Sequence, residues 1–279
     1  MMDRTQFTDR YSAEYISSRT NPKTVLFSKL QNQKARNEEK LFSAEGVKLS
    51  LEALSYSECE YIIFEESFAL RGGISDEITE RARENGVKII LLSDSAFEKV
   101  SSEKSPQGVI AVVKYMTALH VCDGFEAWQK DSRIIMLDEI RDPGNLGTII
   151  RSAEAMGYEG IILARCADVY NPKTIRAAMG GVFRLSAFIT DNGAECVRAM
   201  NTSGRRTLAA ALGEHIMTFD EYQTDASDCI VIGNEGHGIS REVLDECSAC
   251  VKIPMTGLAE SLNASVAASF FMWEYSRQR

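Results

Sequence analysis

No apolar run in this 279-residue chain approaches the length of a membrane span, and Met1 to Arg10 is polar rather than signal-like. A cytoplasmic protein is the expectation. The seven cysteines are odd in number and scattered, which gives no support to a disulfide framework. The three histidines (His120, His215, His237) form no ligand spacing with the lone CxxC pair, Cys247-Ser248-Ala249-Cys250. That pair reads as two semi-buried thiols flanking a strand start, and no metal is expected. Basic surface is also scarce: 31 Lys and Arg face 40 Asp and Glu, for a net charge of −9. This excludes a protein coated in positive charge but not a local nucleic-acid footprint. Internal repeats and low-complexity segments are absent.

What is present is a soluble globular composition, 44% hydrophobic and 25% charged, in a chain long enough for two domains. Strands and helices alternate over the first hundred residues. Asn21-Pro22 starts a helix, Tyr61 to Phe64 and Lys88 to Leu92 read as buried strands, and Asn85-Gly86 closes a helix begun near Asp76. Residues 1–115 therefore read as one small α/β domain. Residues 116–132 have no sustained apolar pattern and read as a linker. In 133–279 the alternation resumes with strand Ile134 to Leu137, helix Leu146 to Met156 and strand Gly160 to Leu163. Further strands fall near Phe183 to Phe188, at Thr207 to Leu212, Cys229 to Ile232 and Val251 to Ile253. A terminal helix follows, and a second α/β domain with a mostly parallel sheet is expected.

Three stretches in this second domain carry chemistry. In Asp138-Glu139-Ile140-Arg141-Asp142-Pro143-Gly144-Asn145-Leu146-Gly147, a strand ends, the chain turns, and Asn145 is a candidate helix cap. Leu146, Ile149, Ile150, Ala153 and Met156 mark the buried stripe, and Arg151 lies off it. Helical side chains lean toward the N-terminus, so a bare Gly147 leaves Arg151 a path back to Asn145. A cation aimed at a helix N-terminus costs about 0.3–1 kcal/mol, and an internal glycine about 0.5–1 kcal/mol. Two unfavourable choices on one face point to function; a surface pair between Arg151 and Glu154 is the plainer reading.

The second stretch, Gly233-Asn234-Glu235-Gly236-His237-Gly238, is a glycine-rich loop after a buried strand, where a ligand can approach backbone closely. It is neither a dinucleotide fingerprint nor a phosphate loop. Glu235 suits a ligand or transition state carrying positive charge. The third stretch runs from Ile253-Pro254-Met255 to Ser261-Leu262-Asn263-Ala264-Ser265, a bend followed by two N-cap candidates and a helix with Leu262, Val266, Phe270 and Phe271 at helical spacing.

Together, Asn145-x-Gly147-x-x-x-Arg151, Gly233-Asn234-Glu235-Gly236-x-Gly238 and Ile253-Pro254-Met255 with Ser261-Leu262-Asn263-x-Ser265 resemble the SPOUT class of RNA methyltransferases, in its SpoU (TrmH-like) branch of ribose 2′-O-methyltransferases. The match covers Ile134 to Arg279. Ser18-Arg19-Thr20-Asn21-Pro22, Ala44-Glu45-Gly46 and Pro106-Gln107-Gly108-Val109 resemble, more weakly, the RNA-binding domain that precedes many such enzymes. Two positions depart from the family pattern, Ala264 where Val is frequent and Ala178 where Ser is common.

The resemblance implies a C-terminal domain tied in a trefoil knot, a homodimer formed through that domain, and S-adenosylmethionine as cofactor. Carried over by position, catalytic candidates are Asn145, Arg151, Glu235, Ser261 and Asn263. Cofactor candidates are Gly233, Ile253 and Leu262, with Ala211, Leu212, Asn234, Gly236 and Met255. Between Arg19 and Lys40 six basic and two acidic residues give a local charge of +4 in an acidic chain. With the resemblance, Arg19, Lys23, Lys29, Lys34, Arg36 and also Arg176 become RNA-contact candidates rather than a solvated face. The implied reaction is methyl transfer to a ribose 2′-hydroxyl, with large-subunit ribosomal RNA as the expected substrate. A tRNA target, an antibiotic-resistance methylase and a non-catalytic RNA-binding or assembly factor are the alternatives.

Overall fold

The apolar runs of the sequence become the centres of two sheets. The structure is a computed structural model that describes residues 2–116, 132–212, 216–218, 221–223, 225 and 227–277. The linker expected over 116–132 falls almost wholly outside the described residues, as do His120 and His215. Packing divides the chain into two units, 1–116 with 170–183, and 117–169 with 184–279.

The first unit runs α1 (Arg4–Tyr11), β1 (Glu14–Ile16), α2 (Pro22–Lys29), α3 (Gln33–Glu39), β2 (Leu41–Glu45), α4 (Val47–Tyr56), β3 (Cys59–Glu65), α5 (Glu66–Ala69), α6 (Ile74–Glu84), β4 (Lys88–Leu92), α7 (Asp94–Val100) and β5 (Val109–Lys114). Its sheet has the order β1-β4-β3-β5-β2, parallel except where β5 meets β3 and β2. Asn21 caps α2 through its side chain with Pro22 at the first helical position, as Asn-Pro predicts. The capping box at Asp3 and Gln6 that opens α1 was legible in the sequence but lay outside the apolar pattern.

In the second unit come β6 (Ile134–Asp138), α8 (Pro143–Ala155) and β7 (Gly160–Ala164). After α9 (Pro172–Ala178), which belongs to the first unit, follow β8 (Ser186–Thr190), α10 (Gly193–Thr202), β9 (Thr207–Ala210), β10 (Met217–Thr218), β11 (Cys229–Ile232), α11 (Arg241–Leu244), β12 (Ala249–Lys252) and α12 (Ala264–Arg277). All seven strands pair in parallel, in the order β10-β12-β9-β11-β6-β7-β8. Helices flank such a sheet on both faces, which is why β6, β7 and β11 are buried along their whole length and read as unbroken apolar runs.

Several expectations are corrected. The segment Tyr170–Phe183, expected within 133–279, packs in the first unit: Tyr170 stacks on Tyr115 at 4.0 Å between centroids and lies against Phe42 at 4.7 Å. Gly181–Phe183 forms a 3-10 turn, so the strand expected from Phe183 begins only at Ser186. Helix α8 starts at Pro143, earlier than Leu146, and its cap is Asp142, whose carboxylate accepts from the Asn145 N–H at 2.9 Å. Pro at the first helical position costs no hydrogen bond there, so Asp-Pro moves the helix start upstream and frees the Asn145 side chain. Arg36 is 1% exposed, with Nη1 donating to the Leu30 carbonyl at 2.7 Å. A buried side chain that holds the end of α2 offers no phosphate contact, so Arg36 leaves the set of RNA candidates.

Burial pushes the thiol of Cys229, in the middle of the second sheet, up to about 12 from 9.0, and Cys166 likewise. A raised folded-state pKa contributes stability that is complete below about 9 and is lost as pH rises toward about 12. Urea unfolding at pH 10 should therefore give a stability lower than at pH 7.5, with Cys229 alone accounting for about 1 kcal/mol. Cys229→Ala should flatten that alkaline slope; an unchanged slope would contradict the assignment.

Candidate functional site

Three segments build the site, two that leave strands of the parallel sheet and one that enters the last helix. After β11, Gly233 leads into a tight hairpin in which Asn234 and Gly238 exchange backbone hydrogen bonds at 2.9 and 3.0 Å. Glu235, Gly236 and His237 form its tip. A Cβ on Gly233 would sit 2.2 Å from the Ile239 nitrogen and 2.3 Å from the Gly238 carbonyl carbon, so only glycine closes this turn. The Asn234 side chain braces the tip from inside, its Oδ1 accepting from the Gly236 N–H at 2.8 Å. Its Nδ2 donates to the Glu139 carbonyl at 2.8 Å, just past the end of β6.

The second segment follows β12, where Ile253 and Met255 line the same space. The third is the approach to α12, where the Asn263 carboxamide oxygen caps the helix by accepting from the Ser265 N–H at 2.9 Å and from Ser265 Oγ at 2.6 Å. Between these segments lies a cavity of about 490 Å³. All eight cofactor candidates line it: Ala211, Leu212, Gly233, Asn234, Gly236, Ile253, Met255 and Leu262. Of the catalytic candidates, Glu235 and Ser261 line it directly.

Asn145 and Asn263 join from the side. Asn263 Nδ2 donates to Asn145 Oδ1 at 3.0 Å, and Asn145 Nδ2 donates to Glu235 Oε1 at 2.5 Å. One chain of hydrogen bonds thus links α12, α8 and the glycine hairpin. Two amides between one helix cap and one carboxylate leave little orientational freedom, since each amide's donor and acceptor ends are assigned by its neighbours. Arg151 lies on the exposed face of α8 and has no hydrogen bond or ion pair among the described residues. Glu154, its plainer partner on sequence, is taken by Arg184 at 2.8 Å. The guanidinium is thus available to an anion from solution.

Sequence reasoning did not single out His237, Lys252, Phe271 or Ala267, which also line the cavity. Phe271, one of the residues at helical spacing in the sequence, is 2% exposed and walls the cavity. Nor did it find the charges behind the hairpin. Asp138, whose side chain is fully buried at the end of β6, accepts from the Ser240 N–H at 2.7 Å, and Arg165 after β7 reaches both it and Glu139. Consecutive acids at a strand end were the available signal.

The RNA candidates occupy the first unit. Lys29 and Lys34 are exposed, Arg19 pairs with Glu98 at 3.1 Å, Lys23 pairs with Glu14, and Arg176 pairs with Glu103. Such surface pairs are weak and open readily to a phosphate. No group of three His, Cys, Asp or Glu among the described residues is placed to hold a metal ion. Cys247 and Cys250 are half-buried on either side of the start of β12.

Residues 132–273, just over half the chain, match the SpoU rRNA Methylase family, and residues 21–111 match the MRM3-like substrate binding domain. The chain is 29% identical over 260 residues to the 23S rRNA (guanosine(2553)-2′-O)-methyltransferase RlmP of Bacillus subtilis, covering 92% of this chain and 97% of that one. Among solved structures, an AdoMet-bound rRNA methyltransferase from Sinorhizobium meliloti superposes with a TM-score of 0.81 at 26% identity, over 95% of this chain and 98% of that one. The SpoU methyltransferase AviRb from Streptomyces viridochromogenes, in complex with AdoMet, gives 0.78 at 28% identity over 93% and 98%.

Proposed function

Because the chain belongs to the SpoU rRNA Methylase family, we propose that it is an S-adenosylmethionine-dependent methyltransferase acting on a ribose 2′-hydroxyl of large-subunit ribosomal RNA. The observation that carries this reading is the convergence of the Gly233, Ile253 and Leu262 segments on one cavity, with Glu235, Asn145 and Asn263 hydrogen-bonded at its edge. The lining fits the cofactor. Ile253, Leu262, Ala267 and Phe271 supply apolar wall, Gly233 brings backbone within reach, and Glu235 supplies a negative charge. Its volume lies within the ~300–1,000 Å³ usual for small-molecule sites.

When bound, S-adenosylmethionine supplies a sulfonium-activated methyl group open to in-line attack by a ribose oxygen. This chain's residues do the positioning, which can remove about 7–11 kcal/mol of a two-partner barrier. Asn145, held between Asn263 and Glu235, and Ser261 orient the ribose and the arginine. A guanidinium holds its proton too tightly to serve as a base, so Arg151 instead binds the adjoining phosphate and stabilises charge developing on the 2′-oxygen as the hydroxyl proton passes to water.

The first unit binds the RNA through Lys29, Lys34 and their basic neighbours. Lys29→Glu with Lys34→Glu should weaken RNA binding, and reduce its dependence on salt, without changing affinity for S-adenosylmethionine. Equal salt slopes for variant and wild type would remove these residues from the interface. On α12, Val266, Phe270 and Trp273 are 42%, 53% and 55% exposed at positions i, i+4 and i+7. This apolar stripe supports a homodimer formed through the second unit. Trp273→Glu should then shift the sedimentation of the protein to the monomer, and a wild-type monomer would refute the dimer. The trefoil knot and a cytoplasmic location complete the reading; no helix among the described residues is long and apolar enough to cross a membrane.

Calorimetric titration with S-adenosylmethionine tests the cofactor, and mapping of methylated riboses in RNA from cells with and without the gene tests the substrate. One bound cofactor per chain and one ribosomal 2′-O-methyl group lost with the gene are expected. Absence of binding, or a lost methyl group only in tRNA, would overturn the reading.

A further inference from the structure

Behind the glycine hairpin, away from the cavity, lies a set of charges that the proposed chemistry does not use. Arg165, the residue after β7, is 28% exposed in its side chain and holds its backbone in the left-handed region at φ 50°. Its guanidinium reaches four groups from two segments, the end of β6 and the start of α11. They are Asp138 at 3.5 Å, Glu139 at 3.0 Å, the Ser240 hydroxyl at 3.2 Å, and the Glu242 carboxylate. Glu139, directly after β6, is also left-handed at φ 58° and is 19% exposed in its side chain. Two adjacent non-glycine residues from neighbouring strands thus accept strained backbone to bring their charges together.

The same acids are the footings of the hairpin. Asp138 Oδ2 accepts the Ser240 N–H at 2.7 Å beyond its second strand, and the Glu139 carbonyl accepts Asn234 Nδ2 at 2.8 Å at its first. Glu139 Oε2 further faces His237 Nε2 and Arg141 Nη2, each at 3.3 Å. Both ends of the segment that carries Glu235 and Gly236 are therefore fastened to consecutive residues at the end of β6, one through the Asp138 carboxylate and the other through the Glu139 backbone carbonyl. Buried carboxylates next to each other repel and are costly to desolvate unless a cation lies between them. Arg165 is that cation for Asp138, and it shares Glu139 with Arg141.

We propose that Arg165 is a positioning residue: by balancing Asp138 and Glu139 it fixes both footings of the 233–240 hairpin, and so sets Glu235 on Asn145 and the glycine backbone on the cavity. It touches neither cavity nor reacting atoms. The inference rests on the proposed methyl transfer only for its effect on activity, because its first consequence is hairpin order.

The experiment uses full-length protein. In Arg165→Ala, amide exchange of the segment 233–240, read by mass spectrometry, should accelerate by about tenfold or more while β6 and β7 remain protected. S-adenosylmethionine affinity and turnover should fall by about tenfold to a hundredfold, as expected when a catalytic group is displaced by about an ångström. Arg165→Lys keeps the charge and should restore part of both. So should Glu139→Gln placed in the Arg165→Ala background, since it removes the repulsion that the arginine had balanced. A packing role alone would be indifferent to that second change. Unchanged hairpin exchange in Arg165→Ala would overturn the proposal. Loss of protection throughout the sheet in both Arg165→Ala and Arg165→Lys, without rescue by Glu139→Gln, would also overturn it. If the wild type failed to bind S-adenosylmethionine, the functional reading would fall while the exchange measurement still decided the role of Arg165.

Discussion

Arg151→Ala should reduce methyl transfer by about 10²–10³-fold or more in kcat while leaving S-adenosylmethionine affinity unchanged, the size of effect found when one preorganised donor to a developing oxyanion is removed. Arg151 is exposed, carries no partner among the described residues, and does not line the cavity, so neither fold nor cofactor site depends on it. Arg151→Lys separates two versions of its role. If the guanidinium serves as a point charge on phosphate and alkoxide, lysine should retain a measurable part of the rate. If its planar two-point geometry is essential, lysine and alanine should be equally inactive. A rate for Arg151→Ala near wild type would remove the arginine from the mechanism and leave the Asn145–Glu235 pair as the centre of attention.

The second large effect belongs to Gly233. Its backbone has no need of a positive φ; the demand for glycine is one of space. A methyl group here would meet backbone atoms at 2.2 and 2.3 Å, and backbone cannot rotate aside as a flexible side chain can. Gly233→Ala must therefore open the pairing of Asn234 with Gly238, displacing Glu235 and the cavity wall together. Binding of S-adenosylmethionine should weaken by about 10²-fold or more, the loss expected when reacting groups move by about an ångström. Thermal stability should fall much less, because the hairpin tip is exposed and buries little. Calorimetry and a thermal melt on one sample give both quantities. A variant that binds normally would mean that the hairpin can relax without reshaping the site.

Much of this could be read from the residues. The unbroken apolar runs at Ile134–Asp138, Gly160–Ala164 and Cys229–Ile232 are what a parallel sheet covered on both faces requires, and their boundaries held to within about a residue. The eight cofactor candidates share one cavity because the loops that carry them follow strands adjacent in the sheet, a fact the motifs carried but periodicity did not. Other features were not legible for identifiable reasons. Arg36 lies in a run of exposed polar residues, and only its tertiary position shows it turned inward to the Leu30 carbonyl. Val266 and Phe270 have the spacing of a core stripe, yet Ala268, Phe271, Met272 and Tyr275 face inward; with apolar residues on both sides of α12, spacing alone cannot choose the face. Asn145 looked like a cap because Asn caps helices, but Asp142-Pro143 three residues earlier satisfies the same need and leaves the amide for Glu235.

Tyr170, lodged against Phe42 and Tyr115, gives the order of synthesis a cost. The ribosome emits the N-terminal sheet first, but its aromatic wall stays incomplete until the polypeptide has grown past Phe183. A nascent fragment ending at the linker would expose Phe42 to water, and so would a recombinant fragment cut there. The first unit takes residues 170–183 from far along the chain, and an attempt to exchange the halves between relatives would have to carry that stretch along.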